Sequence, residues 1–108
     1  MISLLCQLGI TANYDGFYQT AYAVKLASEG PVRLQSVTNC IYPEVATKYN
    51  TSPDNVRKNI SKVRDIAWKK NPEFLCKIAQ HQLKKKPGTG EFLAILAVYS
   101  ICQKQFPN

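Results

Sequence analysis

Apolar residues recur along this chain at intervals of three and four, the spacing that puts side chains on one face of a helix. The clearest run comes after Ser52. Val56, Ile60, Val63 and Ala67 stand at i, i+4, i+7 and i+11 and form one apolar stripe. Asp54, Asn55, Lys58, Ser61, Lys62 and Asp65 fall on the opposite face. Ser52 suits the N-cap, because its hydroxyl can accept from an unpaired first-turn amide. Pro53 suits the first helical position, and Asp54 complements the helix dipole. The pattern predicts a helix from Pro53 to about Lys69.

Weaker patterns fill the rest. Residues 2–8 read as a short helix stopped by Gly9, and Ile10 to Gly16 as a loop rich in turn chemistry. A second helix is expected from about Phe17 to Ser28, ended by Gly30 and Pro31. Leu34 to Tyr49 reads as one kinked helix or two short ones, because Pro43 interrupts it. Asn71-Pro72-Glu73 repeats the cap, proline and acid signal and opens a fifth helix carrying Phe74, Leu75, Ile78 and Ala79. Leu83 to Gly90 is a basic loop. A last helix, apolar nearly all round, runs to about Gln103, and belongs either in the core or against another subunit. No strand alternation or internal repeat is present, so the expected fold is all-α, a compact bundle of about six helices.

Pro43 to Asn50 ahead of the Ser52 helix adds a connection. Val45, Ala46 and Tyr49 would pack inward, small Ala46 allows close approach, and Asn50 tolerates a left-handed turn. Together the two helices read as a helix-turn-helix with the second helix, about 53–68, in a DNA major groove. An ordinary helical hairpin with a solvated face has the same pattern. One departure is Asn59, which stands where an apolar residue is usual, with Ile60 one place late.

Charge narrows the choice. The formal net charge is +7, and it is not evenly spread. Residues 1–46 carry two basic against three acidic side chains, residues 47–86 eleven against three, and residues 87–108 one against one. The excess therefore sits on the Ser52 helix and the segment after it, as far as the loop lysines. That is the footprint expected for a polyanion partner. A basic solvated face without a partner is the alternative, and the same holds for the loop lysines Lys84, Lys85 and Lys86.

Other chemistry finds little support. Cys6, Cys40, Cys76 and Cys102 show no metal-ligand spacing, and His81 is the sole histidine. Each cysteine falls among apolar neighbours in a predicted helix, so buried free thiols are expected, with no metal and no cofactor. No paired carboxylates, nucleophile motif or phosphate-binding glycine loop argue for an enzyme. The N-terminus lacks a basic n-region, and the longest apolar run, Phe92 to Cys102 broken by Ser100, is too short to span a bilayer. A cytoplasmic protein, on the nucleoid when bound to DNA, is expected, as is a single domain over 1–108.

Particular residues carry a family resemblance. They are Ile2-Ser-Leu-Leu with Leu8-Gly9-Ile10, Ile41-Tyr42-Pro43-Glu44-Val45-Ala46 with Tyr49-Asn50-Thr51, Ala67-Trp68, and Lys86-Pro87 with Glu91-Phe92-Leu93-Ala94. From Ile2 to about Cys102 the chain resembles the C-terminal DNA-binding effector domain of the master sporulation response regulator, the stage 0 sporulation protein A family. The resemblance implies a six-helix domain whose helix-turn-helix reads short promoter boxes, with two copies able to sit in tandem. Where the family places arginines and a histidine on the groove face, this chain has Asn55, Lys58, Ser61 and Lys62. Lysine is a point charge without the fixed fork of arginine, so the exact box is open. Family members also carry an N-terminal phospho-acceptor receiver. None is expected in this sequence, and DNA binding would then be constitutive or controlled otherwise.

On this reading Asn55, Lys58, Ser61 and Lys62 meet base edges. Lys48, Thr51, Arg57, Arg64, Lys84, Lys85 and Lys86 meet phosphates, which fix register without reading sequence. Arg64 is equally a candidate for a structural ion pair. Trp68 and Tyr49 are expected in the core. The rival is a degenerate paralogue acting as a protein-interaction module, whose partner is RNA polymerase or a full-length regulator. Loss of the arginines favours it, and the basic segment opposes it.

Overall fold

Why one helix becomes the platform for the others is visible in its small residues. α2 (Asp15–Glu29) buries Gly16, Thr20, Ala23 and Ala27 on one strip, with Phe17, Val24 and Leu26 beside it. Small side chains allow neighbouring helices to come close. The computed structural model of the chain describes residues 2–105, and among these there are α-helices and one 3-10 helix but no strand. The expectation of an all-α fold holds.

α1 (Ile2–Gln7) turns Leu4 and Leu5 inward and stops at Gly9, whose φ of 93° few other residues adopt. A 3-10 helix (Pro31–Ser36), α3 (Val37–Cys40) and α4 (Tyr42–Lys48) come after α2. The segment from Leu34 to Tyr49 thus divides into two short α-helices, α3 and α4, after the end of the 3-10 helix. Pro31 opens the 3-10 helix, Ser36 leaves helical geometry at φ −149°, and Pro43 seats in the first turn of α4. Arg33 holds this corner: its Nη1 donates to the Leu26 carbonyl at the end of α2, 3.0 Å away.

α5 (Pro53–Lys70), α6 (Pro72–Ala79) and α7 (Thr89–Gln105) complete the fold. α2 packs against both α7 and α5, which also meet each other, while α4 packs on α5 and α6 on both α5 and α7. The α2–α5 approach leaves no room for a side chain at Gly16. A Cβ on Gly16 would overlap the Asn59 carbonyl oxygen and stand 2.8 Å from Val63 Cγ2.

The stripe of α5 is buried as its period requires, with Val56, Ile60, Val63 and Ala67 inaccessible to solvent. α7 is less uniform than its composition suggests. Phe92, Leu93, Leu96 and Ala97 enter the core, Ile95, Tyr99 and Ile101 are half-buried, and Val98 is exposed. An apolar groove lined by Ile78, Ala79, Ile95, Val98 and Tyr99 runs between α6 and α7.

Two burial expectations are corrected. Cys6 and Cys40 are exposed, and Cys76 and Cys102 are half-buried. Cys6 lies on the outer side of the short α1, and the four-residue α3 buries nothing at all. Trp68 and Tyr49 are also half-buried, packed against the core rather than inside it. The Tyr49 hydroxyl donates instead to the Tyr18 carbonyl, 3.3 Å away.

Candidate nucleic-acid interface

The turn between α4 and α5 is built from local chemistry. Asn50 adopts φ 54°, as its side chain type permits. The Thr51 amide then donates to the Ala46 carbonyl at 2.9 Å, and the Asn50 amide to Thr47 at 3.4 Å, which closes α4 in a Schellman arrangement. Ser52 Oγ accepts from the Asn55 amide at 3.1 Å and starts α5. Val45 and Ala46 of α4 are buried against α5. Two helices joined by this four-residue turn have the connectivity of a helix-turn-helix.

Asn59 explains its own departure from the usual pattern. It lies beside Gly16 on the α2 side, and its Nδ2 donates to Gln19 Oε1 at 3.1 Å. Gln19 is nearly fully buried. The amide pair is directional where an apolar contact is not, so it fixes how α5 is rolled on α2. Ile60, one place later, fills the core.

That roll turns Asp54, Asn55, Lys58, Lys62 and Asp65 to solvent, and Ser61 is half-buried at the edge of the same face. Most of the side chains assigned to DNA are engaged within the protein. Asn55 Nδ2 donates to Thr51 Oγ1 at 2.7 Å. Asp54 accepts from Arg57 at 2.9 Å and pairs with Lys58 at 3.3 Å. Those two partners hold the Asp54 carboxyl below its usual range. The Ser61 hydroxyl meets Thr89 Oγ1 at 2.8 Å.

At the other end of α5, Asp65 Oδ1 accepts from Arg64 at 3.0 Å and from Lys86 at 2.8 Å. Burial pushes the Asp65 carboxyl up, but hydrogen bonds from Lys86 and Arg64 outweigh it and hold the group low. Arg64 also donates to Thr89 Oγ1 at 3.2 Å. The structural ion pair considered for Arg64 is therefore present. Lys86 draws the basic loop onto α5, with Leu83 and Pro87 buried beneath and Lys84 and Lys85 exposed.

Lys48 lies 4.9 Å from the Tyr22 ring centre and 5.9 Å from that of Tyr49, a cation–π position on the α4 side. Of the lysines assigned to DNA, Lys48, Lys62, Lys84 and Lys85 make no ion pair among the described residues. The structure thus gathers Asn55, Lys58, Ser61, Lys62, Arg57, Arg64 and Lys86 along one helix, with Thr51 and Lys48 at its start. Sequence reasoning missed Thr89 and the role of Asp65, since both act across loops.

Other chemistry has no comparable focus. Among the described residues no three His, Cys, Asp or Glu side chains stand close enough to hold a metal. No described helix is long and apolar enough to cross a membrane. The model of the family described as sporulation initiation factor Spo0A, C terminal, matches residues 1–99 of the chain.

Proposed function

The chain belongs to the family of Spo0A C-terminal domains, the DNA-binding domain of a sporulation regulator, and on that premise we propose that it docks in the major groove with α5. That family is a regulatory DNA-binding one and not an enzyme family. The observation that supports this reading most directly is the set of basic side chains gathered along α5. Exposed Lys58 and Lys62 stand on the helix, and Lys86 brings the lysine loop alongside through Asp65.

The N-terminal residues of a recognition helix are the ones that reach base edges. Asn55 and Lys58 occupy that part of α5 and Lys62 stands at its middle, and Asn is suited to adenine and Lys to guanine. Ser61 joins them once its hydroxyl leaves Thr89. Lys48, Thr51, Arg57, Arg64, Lys84, Lys85 and Lys86 flank this line and supply phosphate contacts. The same reading extends to two copies on adjacent boxes, to RNA polymerase as a partner, and to a place on the nucleoid.

The rival reading as a protein-interaction module has the apolar α6–α7 groove in its favour. A fluorescence-anisotropy titration separates the two. A family-type promoter box, its shuffled version and a random duplex are compared at two salt concentrations. Binding that falls steeply with salt and prefers one duplex is expected. No binding at low salt to any of the three would put the protein-partner reading first.

A further inference from the structure

Two carboxylates stand on the face that would approach a polyanion. Asp54 and Asp65 lie at opposite ends of the outward strip of α5, and both are exposed. Each is surrounded by two cations. Asp54 Oδ1 accepts from Arg57 Nη2 at 2.9 Å and Nε at 3.3 Å, and Oδ2 pairs with Lys58 Nζ at 3.3 Å. Asp65 Oδ1 accepts from Arg64 Nη2 at 3.0 Å and Nε at 3.1 Å, and from Lys86 Nζ at 2.8 Å. All four cations are among those assigned to DNA.

We propose that Asp54 and Asp65 are specificity-determining residues that restrain binding to non-cognate DNA by occupying Arg57, Lys58, Arg64 and Lys86. The proposal rests on α5 being the DNA-facing helix. Its logic is competition. Ion pairs that are even partly exposed are individually weak, so the base contacts made by a cognate duplex can offset the cost of opening them. A lone phosphate contact gains little by exchanging one anion for another. The carboxylates also face the phosphates themselves and repel them wherever the cations have left. Cognate DNA overcomes both costs with base contacts, and random DNA does not.

The arrangement also explains an otherwise odd feature of the surface. A helix meant only for indiscriminate phosphate binding would leave its cations free, as Lys84 and Lys85 are left among the described residues. Here the arginines of α5 and the loop lysine nearest to it are instead held in fixed positions. Holding them costs affinity for any duplex but sharpens the difference between duplexes.

Asp54→Asn and Asp65→Asn test this with little change of shape. The probe is a short random-sequence duplex, titrated with the full chain over a series of salt concentrations. A duplex recovered by selection from random sequences is titrated in parallel. Each variant is expected to bind random DNA about three- to tenfold more tightly near 0.1 M salt, because each further phosphate neutralised adds about 0.9 to the salt slope. The ratio of selected to random affinity should fall. Among the described residues Asp54 pairs only within its own helix, so Asp54→Asn keeps the test valid if Asp65→Asn loosens the loop, and circular dichroism checks the helicity of both. Unchanged or weaker binding of random DNA by folded Asp54→Asn would overturn the proposal. So would loss confined to the selected duplex, which would make the carboxylate a base contact. Failure of the unaltered protein to bind any duplex is a different result, and it removes the DNA reading itself.

Discussion

The two ends of α5 use the same chemistry over different distances. At the N-terminal end, Ser52 caps Asn55, Thr51 holds the Asn55 side chain, and Asp54 holds Arg57 and Lys58. Every partner lies within one turn of chain. At the C-terminal end, Asp65 reaches Lys86, Arg64 and Ser61 reach Thr89, and the Asn71 side-chain amide donates to the Gln7 carbonyl at 2.9 Å. Those bonds tie α5 to a loop, to α7 and to α1. The N-terminal end can therefore rearrange against a groove without disturbing the fold, while the C-terminal end anchors the helix. Exposure shows the same division: the Asp54 side chain is 63% exposed and that of Arg64 only 16%.

Removing what both ends share should have the largest effect. Ile60 lies midway along α5 and is fully buried, so Ile60→Ala should lower stability by about 2–5 kcal/mol in urea denaturation. Loss of stability with no loss at either end's contacts would show that the core, not the ion pairs, carries the helix. The end proposed to read bases comes next. Lys58→Ala should cost about 1–3 kcal/mol on a preferred duplex and relax the preference, whereas Lys85→Ala should weaken all duplexes alike. Equal losses on preferred and random DNA for Lys58→Ala would remove its base-reading role.

Helix caps sharpen the contrast further. Asn71 Oδ1 accepts from the Phe74 amide at 3.3 Å, much as Ser52 accepts from Asn55. Ser52→Ala should cost about 1 kcal/mol in thermal denaturation. Asn71→Ala should cost more, because it also releases the end of α1. Equal costs would mean that the long-range bond to Gln7 contributes nothing.

The smallest effect is that of pH. Both aspartates are held below their unfolded range, so their stabilising contribution is fully present above about pH 4. It is lost as pH falls through the lowered folded values. Stability measured down the acid limb should fall less in Asp65→Asn than in the unaltered protein. Solvent screens the fully exposed Asp54, so Asp54→Asn should differ less.

The same division governs what the sequence makes legible. Local features were readable: the Ser52 cap, Pro53, the left-handed Asn50 and the buried stripe of α5 all depend on residues within one or two turns. Long-range features were not. Nothing near Asp65 indicates Lys86, and nothing near Asn59 indicates Gln19. The close α2–α5 contact did leave a trace, since Gly16, Thr20, Ala23 and Ala27 recur at helical spacing. Gly16 reads as loop because Asn13 and Asp15 precede it. The cysteines mislead for a related reason. Apolar neighbours suggest burial, but helices as short as α1 and α3 lack a second side to bury. The contact assignments on α5 came from its period together with the family resemblance, and the period alone leaves a hairpin with a solvated face equally open.

Amide chemical-shift mapping during titration with duplex DNA tests most directly whether α5 is the DNA-facing helix. Docking through α5 predicts the largest changes from Asp54 to Lys62 and at Lys84 to Lys86, with smaller ones near Asp65. Changes confined to Ile78–His81 and Glu91–Cys102, with α5 unaffected, would contradict it.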